Sequence, residues 1–226
     1  IGQAHQRDII TKKIKKYFSY SVLIDSSGRY ISMKPLGMNT DVSKYLDEIT
    51  QNIKELLNTN KSKYSAIVFH IPQKIRNKDI NNIRSVLEGA KSNIEITILK
   101  INNDSKFFGY NSSENSLVPY ESSVIKLAPK EYLLWTEGLN YNNKRVNKRY
   151  ANPLHVEFFY SNKDLLSIDN HLQDILNLSG ANWRGFNAKA LPISLFYPKL
   201  ISDFNKHFNE FNLDLLTNEN IKPWFL

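Results

Sequence analysis

The order of hydrophobic patterns along this 226-residue chain predicts an α/β protein with a mixed central sheet flanked by helices. Three observations carry that prediction. A strand pair joined by a short glycine turn opens the chain. Two short, continuous apolar runs then alternate with segments of helical spacing. The second half returns to closely spaced short strands, followed by helices.

The elements follow in order. "IGQAHQRD" reads as the tail of a strand and a polar loop, with its partner strand expected upstream of Ile1. "YFSYSVLID" and "RYISMKP" are strand-like and are joined by "SSG", a hairpin turn in which Asp25 has a turn role. Val42, Tyr45, Leu46, Ile49, Ile53, Leu56 and Leu57 fall at helical spacing behind a cap at Asp41 or Ser43. "YSAIVFHI" and "IEITILKI" are buried strands. Between them Ile80, Ile83, Val86, Leu87 and Ala90 predict a second helix, which Asp79 caps or opens. "KFFGY", "SVIKLA", "EYLLWTEG" and "PLHVEFFY" read as short antiparallel strands. Leu165, Leu166, Leu172, Ile175, Leu176 and Leu178 predict a helix ending at Ser179-Gly180, and a last helix is expected to start near Pro198. An antiparallel meander followed by parallel strands through helices is the order of an RNase H-like fold, although periodicity alone permits other mixed α/β folds.

Composition bounds the function. Apolar residues make up 41% of the chain, and there is no cysteine, so disulfides and thiolate metal sites are excluded. No apolar run approaches the ~20 residues of a membrane span, so a cytoplasmic, non-membrane protein is expected. Formal charge is +8. Arg7, Lys12, Lys13, Lys15 and Lys16 against Asp8 in the first twenty residues, with Lys144, Arg145, Lys148 and Arg149 in 141–150, hold that entire excess. Clusters of this kind suit a polyanion such as nucleic acid. The five histidines lack the paired spacing of a zinc site, and His70, at the end of a buried strand, is expected to be packed in the core. No glycine-rich phosphate loop or serine-centred nucleophile motif is present.

Four segments together resemble the PIWI domain of prokaryotic Argonautes. "IGQAHQR" is similar to the exit of the first strand, which in the family reads Gly-x-Asp. "AIVFHIPQKIRNKDI" resembles the strand and helix start that usually read His-x-Asp-Gly. "SVIKLAPKEYLLWTEGLN" resembles the late hairpin. "ILNLSGANWRGFNAKALPISLFYPKLI" resembles the best-marked segment, and "PWFL" the aliphatic C-terminus. The resemblance implies that residues 1–226 are an RNase H-like PIWI domain, the C-terminal part of a larger Argonaute chain with a MID domain.

Active members hold two divalent cations with a carboxylate cluster. Here Pro72 and Gln73 follow His70 where the second acid is expected, Asn182 stands at the fourth, and the first is expected upstream of Ile1. The resemblance therefore implies a domain without nuclease activity that binds a short guide RNA or DNA and recognises foreign plasmid or phage DNA. A partner effector would then act: a nuclease-helicase, or an NAD-consuming or membrane-acting protein. Arg184 and Lys189 are the expected phosphate contacts, Asn182 and Asn187 donors to phosphate or sugar, and Lys144, Arg145, Lys148 and Arg149 a backbone-tracking loop. Trp183 and Phe186 are expected to anchor their loop in the core. The Leu226 carboxylate is implied to help seat the guide 5′ phosphate with Mg2+. An active nuclease with a divergent acidic site, and a scaffold that binds only protein, are the alternatives.

Overall fold

The computed structural model describes residues 1–8, 10–60, 63–72, 81, 84–85, 88, 94–104, 106–139, 151–162, 168–181 and 190–207. Among the described residues eight strands and three helices have both ends defined: β1 (Gly2–Arg7), β2 (Ile14–Ile24), β3 (Tyr30–Asn39), α1 (Val42–Asn60), β4 (Ala66–Pro72), β5 (Glu95–Asn102), β6 (Val124–Ala128), β7 (Glu131–Leu134), β8 (Leu154–Ser161), α2 (Ile168–Gly180) and α3 (Ile193–His207). The predicted second helix lies largely outside the described residues. So does Asp79.

β1, β2 and β3 form an antiparallel meander, and a five-stranded sheet runs in the order β4-β5-β8-β7-β6. β4 and β5 pair in parallel and the rest antiparallel, so the larger sheet is mixed, as the sequence predicts. Ile1 N donates to His70 O at 2.8 Å, which brings the start of β1 against β4.

The polar opening segment is a correction. Where a strand tail was expected, Gly2–Arg7 is itself a full strand, paired residue for residue with β2 as far as Gln6 and Lys16. Its composition carries no strand signal. Its pairing comes from β2 beside it and α3 above it. A Cβ on Gly2 would sit 2.2 Å from the backbone N of Lys199 and the carbonyl carbon of Pro198. Only glycine fits beneath the helix there. The Gly2 carbonyl accepts hydroxyl bonds from Ser19, at 3.1 Å, and Ser202, at 3.4 Å.

Helices cover both faces. Tyr45, Ile49 and Ile53 of α1 pack on Leu36, Phe69, Ile71, Ile96 and Ile98. On the other face Leu172 and Ile175 of α2, with Leu195 of α3, pack on Leu99, Ile101, Val156 and Phe158. Ile193, Tyr197 and Ile201 of α3 close over Phe18, Tyr20 and Met33. Asp41 is the cap of α1, its Oδ1 accepting from Ser43 N at 2.8 Å and Lys44 N at 3.0 Å. Asp25 has its expected turn role, accepting from Ser27 and Arg29 backbone amides beside Gly28 at φ 80°.

Two further expectations are corrected. The last helix begins at Ile193, and Pro198 lies inside it. Proline removes one helical N–H, but packing of α3 on β1 and β2 outweighs that loss. "KFFGY" is not a strand. Gly109 is pressed against Pro119 and Trp135, a Cβ there coming within 2.3 Å of Pro119 Cγ, and this contact takes the place of strand pairing. The nearest regular feature is a single bridge between Asn111 and Ser116.

Candidate nucleic-acid interface

The first basic cluster sits on the turn between β1 and β2. Asp8 organises that turn, its Oδ1 accepting from Ile10 N, Thr11 N and Thr11 Oγ1 at 2.7–3.0 Å. Those bonds, Thr11's first, hold the Asp8 carboxyl below the usual range. Lys12 adopts φ 57° to close the loop. Lys12, Lys13 and Lys15 are exposed, whereas Lys16 folds its ammonium over Phe18 at 5.5 Å. Arg7 Nε donates to His5 Nε2 at 3.0 Å. Three exposed lysines, two on this turn and one at the start of β2, suit phosphate tracking rather than core packing.

At the end of β4, His70 is buried as expected, its Nδ1 2.6 Å from Ser194 Oγ at the start of α3. Burial pushes the imidazole down to about 3, helped by His171. The ring is neutral and structural. Pro72, two residues on, ends the strand opposite Ile101 of β5. The Ser194 partner was not legible in the sequence, because the two residues lie 124 positions apart.

Asn182, Arg184, Asn187, Lys189, Lys144, Arg145, Lys148, Arg149 and Leu226 all lie outside the described residues, as do Trp183, Phe186 and Gln73. What the structure does describe is how the chain re-enters after two of these segments. Trp135 Nε1 donates to Ala151 O at 3.0 Å, directly after the basic stretch. Thr136 Oγ1 donates to Ala190 O at 3.3 Å, directly after the Asn-Trp-Arg segment. Two adjacent residues at the end of β7 therefore hold the return points of both segments. Their common anchorage could not be read from sequence, since they are some forty residues apart in the chain. Beside Ala190 a groove of about 390 Å³ is lined by Asn103, Leu191, Phe196, Lys199, Leu200 and Asp203.

Among the described residues no three His, Asp or Glu side chains come together as metal ligands, and no helix is long and apolar enough to cross a membrane.

An α/β fold with a meander, a mixed sheet and helices on both faces is the fold of a PIWI-like Argonaute domain. In particular, the chain is 29% identical over 153 residues to the Piwi protein of Archaeoglobus fulgidus, covering 62% of this chain and 35% of the relative. Marinitoga piezophila Argonaute in complex with a 5′-OH guide RNA superposes with a TM-score of 0.66 at 14% identity, over 94% of this chain and 30% of that one. Clostridium butyricum Argonaute bound to a guide DNA and a 19-mer target DNA gives 0.64 at 18%, over 91% and 26%. Argonaute of A. aeolicus gives 0.61 at 17%, over 90% and 27%. No protein-family model matches. The chain thus spans about a third of the curated relative's length.

Proposed function

We propose that this chain is the guide-holding PIWI portion of an Argonaute that does not itself cut. In this reading it binds a short guide strand, pairs it with foreign DNA and leaves destruction to a partner effector. The observation that carries the binding half is the common anchorage, at Trp135 and Thr136, of Ala151 and Ala190, the residues that follow the 141–150 basic stretch and the Asn182–Lys189 stretch. Arg184 and Lys189 neutralise guide phosphates, Asn182 and Asn187 donate to phosphate or sugar oxygens, and Lys144, Arg145, Lys148 and Arg149 follow the backbone. Mg2+ at the guide 5′ phosphate would supply charge neutralisation there. Of the similar structures, one is a complex with guide RNA and another a complex with guide and target DNA, which supports a nucleic-acid ligand.

The inactive half is supported by residue identity. The family's Gly-x-Asp is similar to Gly2-Gln3-Ala4, and the strand Gly2–Arg7 with Gly2 tight beneath α3 supports that alignment over one upstream of Ile1. Ala4 then stands where the first acid belongs, and Pro72 where the second does. Neither side chain offers an oxygen to a hard cation.

The test is direct. The protein is loaded with a 5′-phosphorylated guide and a complementary target in Mg2+ or Mn2+. Salt-dependent guide binding without cleavage is the expected result. A single guide-directed cut, lost on mutating a nearby acid, would show an active nuclease, and absence of any oligonucleotide binding would show a protein-binding scaffold.

A further inference from the structure

The chain leaving β7 is clamped to the segment that precedes β6. Trp135 N donates to Ser123 O at 3.0 Å, and Ser122 N donates to Trp135 O at 2.8 Å. Further on, Glu121 N donates to Leu139 O at 3.0 Å and Leu139 N to Pro119 O at 2.9 Å. Between these bonds Gly138 lies directly on the same segment. A Cβ there would come within 2.4 Å of Glu121 N and Pro119 O, so only glycine fits. The backbone is thus fixed before and after Thr136. Both Trp135 and Thr136 are buried.

Their side chains leave this fixed stretch on opposite faces of the sheet. Leu133 and Trp135 pack with Val118 and Ala151. Leu134, between them, packs with Leu154 and Leu195, and Leu191 lies against that group. Alternation along an extended strand explains the split. Trp135 Nε1 reaches Ala151 O on the first face, at 3.0 Å. Thr136 Oγ1 reaches Ala190 O, beside Leu191, at 3.3 Å. At its other end the 182–189 stretch is preceded by Ala181, which packs with Leu178 against the cluster of Phe18, Tyr20 and Met33. Apolar packing therefore holds the entry to that stretch, and a side-chain hydrogen bond meets its exit.

We propose that Trp135 and Thr136 are positioning residues for nucleic-acid binding, acting on the ligand only through Ala151 and Ala190. The proposal rests on the reading of 144–149 and 182–189 as phosphate-binding. A basic segment whose ends are fixed loses less conformational freedom when it meets a phosphate chain than one whose ends are loose. Because both return points hang on adjacent residues of one clamped strand end, the two segments are set relative to each other before a ligand arrives. Neither side chain carries charge, so composition and charge pattern give no sign of this role.

Binding is read with a 5′-phosphorylated oligonucleotide, as RNA and as DNA, below the melting temperature of every variant. Thr136→Val keeps the shape and removes the donor. It should weaken binding roughly two- to tenfold, the range of one net hydrogen bond. Thr136→Ser, which keeps the hydroxyl, should restore most of that loss. If Thr136→Val melts below the assay temperature, Thr136→Ala takes its place. In a background of Arg184→Ala with Lys189→Ala, the loss from Thr136→Val should largely vanish, whereas in Lys12→Ala it should remain whole. Trp135→Phe, which removes the indole N–H, should couple in the same way to Lys148→Ala with Arg149→Ala. A purely structural role would give the same factor in every background. Parent-like binding by Thr136→Val, no recovery in Thr136→Ser, or equal losses in all backgrounds overturns the proposal and leaves the guide-holding reading standing. A parent chain that binds no oligonucleotide overturns that reading, and the proposal with it.

Discussion

His70 shows how one buried side chain ties distant parts of the molecule and sets its acid limit. Its carbonyl accepts from Ile1 N and its ring bonds Ser194, so β1, β4 and α3 meet on one residue. In the unfolded chain the imidazole titrates near 6.5, and in the folded chain near 3. The unfolded state therefore takes up the proton first. Stability is complete above about pH 6.5 and is lost as pH falls from there toward 3. Burial lowers His171 in the same direction. Thermal melts of His70→Asn between pH 7 and 4 should accordingly show a shallower acid limb than the parent, with the remaining slope carried partly by His171. An unchanged limb would mean that His70 is not the titrating group. Gly2 gives a second prediction at this scale. Gly2→Ala forces a methyl into the backbone of α3 and should destabilise the chain by roughly 1–3 kcal/mol or more, read as a lower denaturant midpoint.

Among the elements, α1 is the one whose sequence and structure agree most fully. Its helical spacing, its buried face and its Asp41 cap all point the same way. Asp41→Ala should cost about 1 kcal/mol, measured by denaturant unfolding, whereas the same change at Asp47, which caps nothing, should cost little. Where reading by pattern failed, a contact remote in sequence had decided the conformation. β1 is a strand because β2 pairs with it, although Gly, Gln, Ala and His favour none. Residues 107–110 carry aromatic strand formers, yet Gly109 is held against Trp135 and Pro119 and the segment pairs with nothing regular. Pro198 reads as a helix start. Burial of Ile193, Leu195 and Tyr197 extends the helix on its N-terminal side.

For the whole molecule, the +8 charge bears on the proposed polyanion ligand. Of the two basic clusters, the one at the β1–β2 turn falls within the described residues. Charge reversal at Lys12, Lys13 and Lys15 should weaken binding evenly across sequences and flatten its salt dependence. The log–log slope should fall by about 0.9 for each duplex phosphate that is no longer neutralised. The same reversal at Lys144, Arg145, Lys148 and Arg149 should do likewise if that stretch follows the backbone. Affinity and slope that stay put in either variant would mark that stretch as solvated surface. The sequence by itself determined the α/β class, α1 and its acidic cap, the strands β4 and β5 (β5 buried, β4 only in part), the core position of His70 and the two basic clusters. Each rests on local periodicity or composition, which residues a few positions apart express without help. Only the tertiary structure decided that Gly2–Arg7 is a strand under α3, that Ser194 meets His70, and that Trp135 and Thr136 hold Ala151 and Ala190, the return points of two distant segments. Those are relations between residues tens to hundreds of positions apart, and no local pattern encodes them.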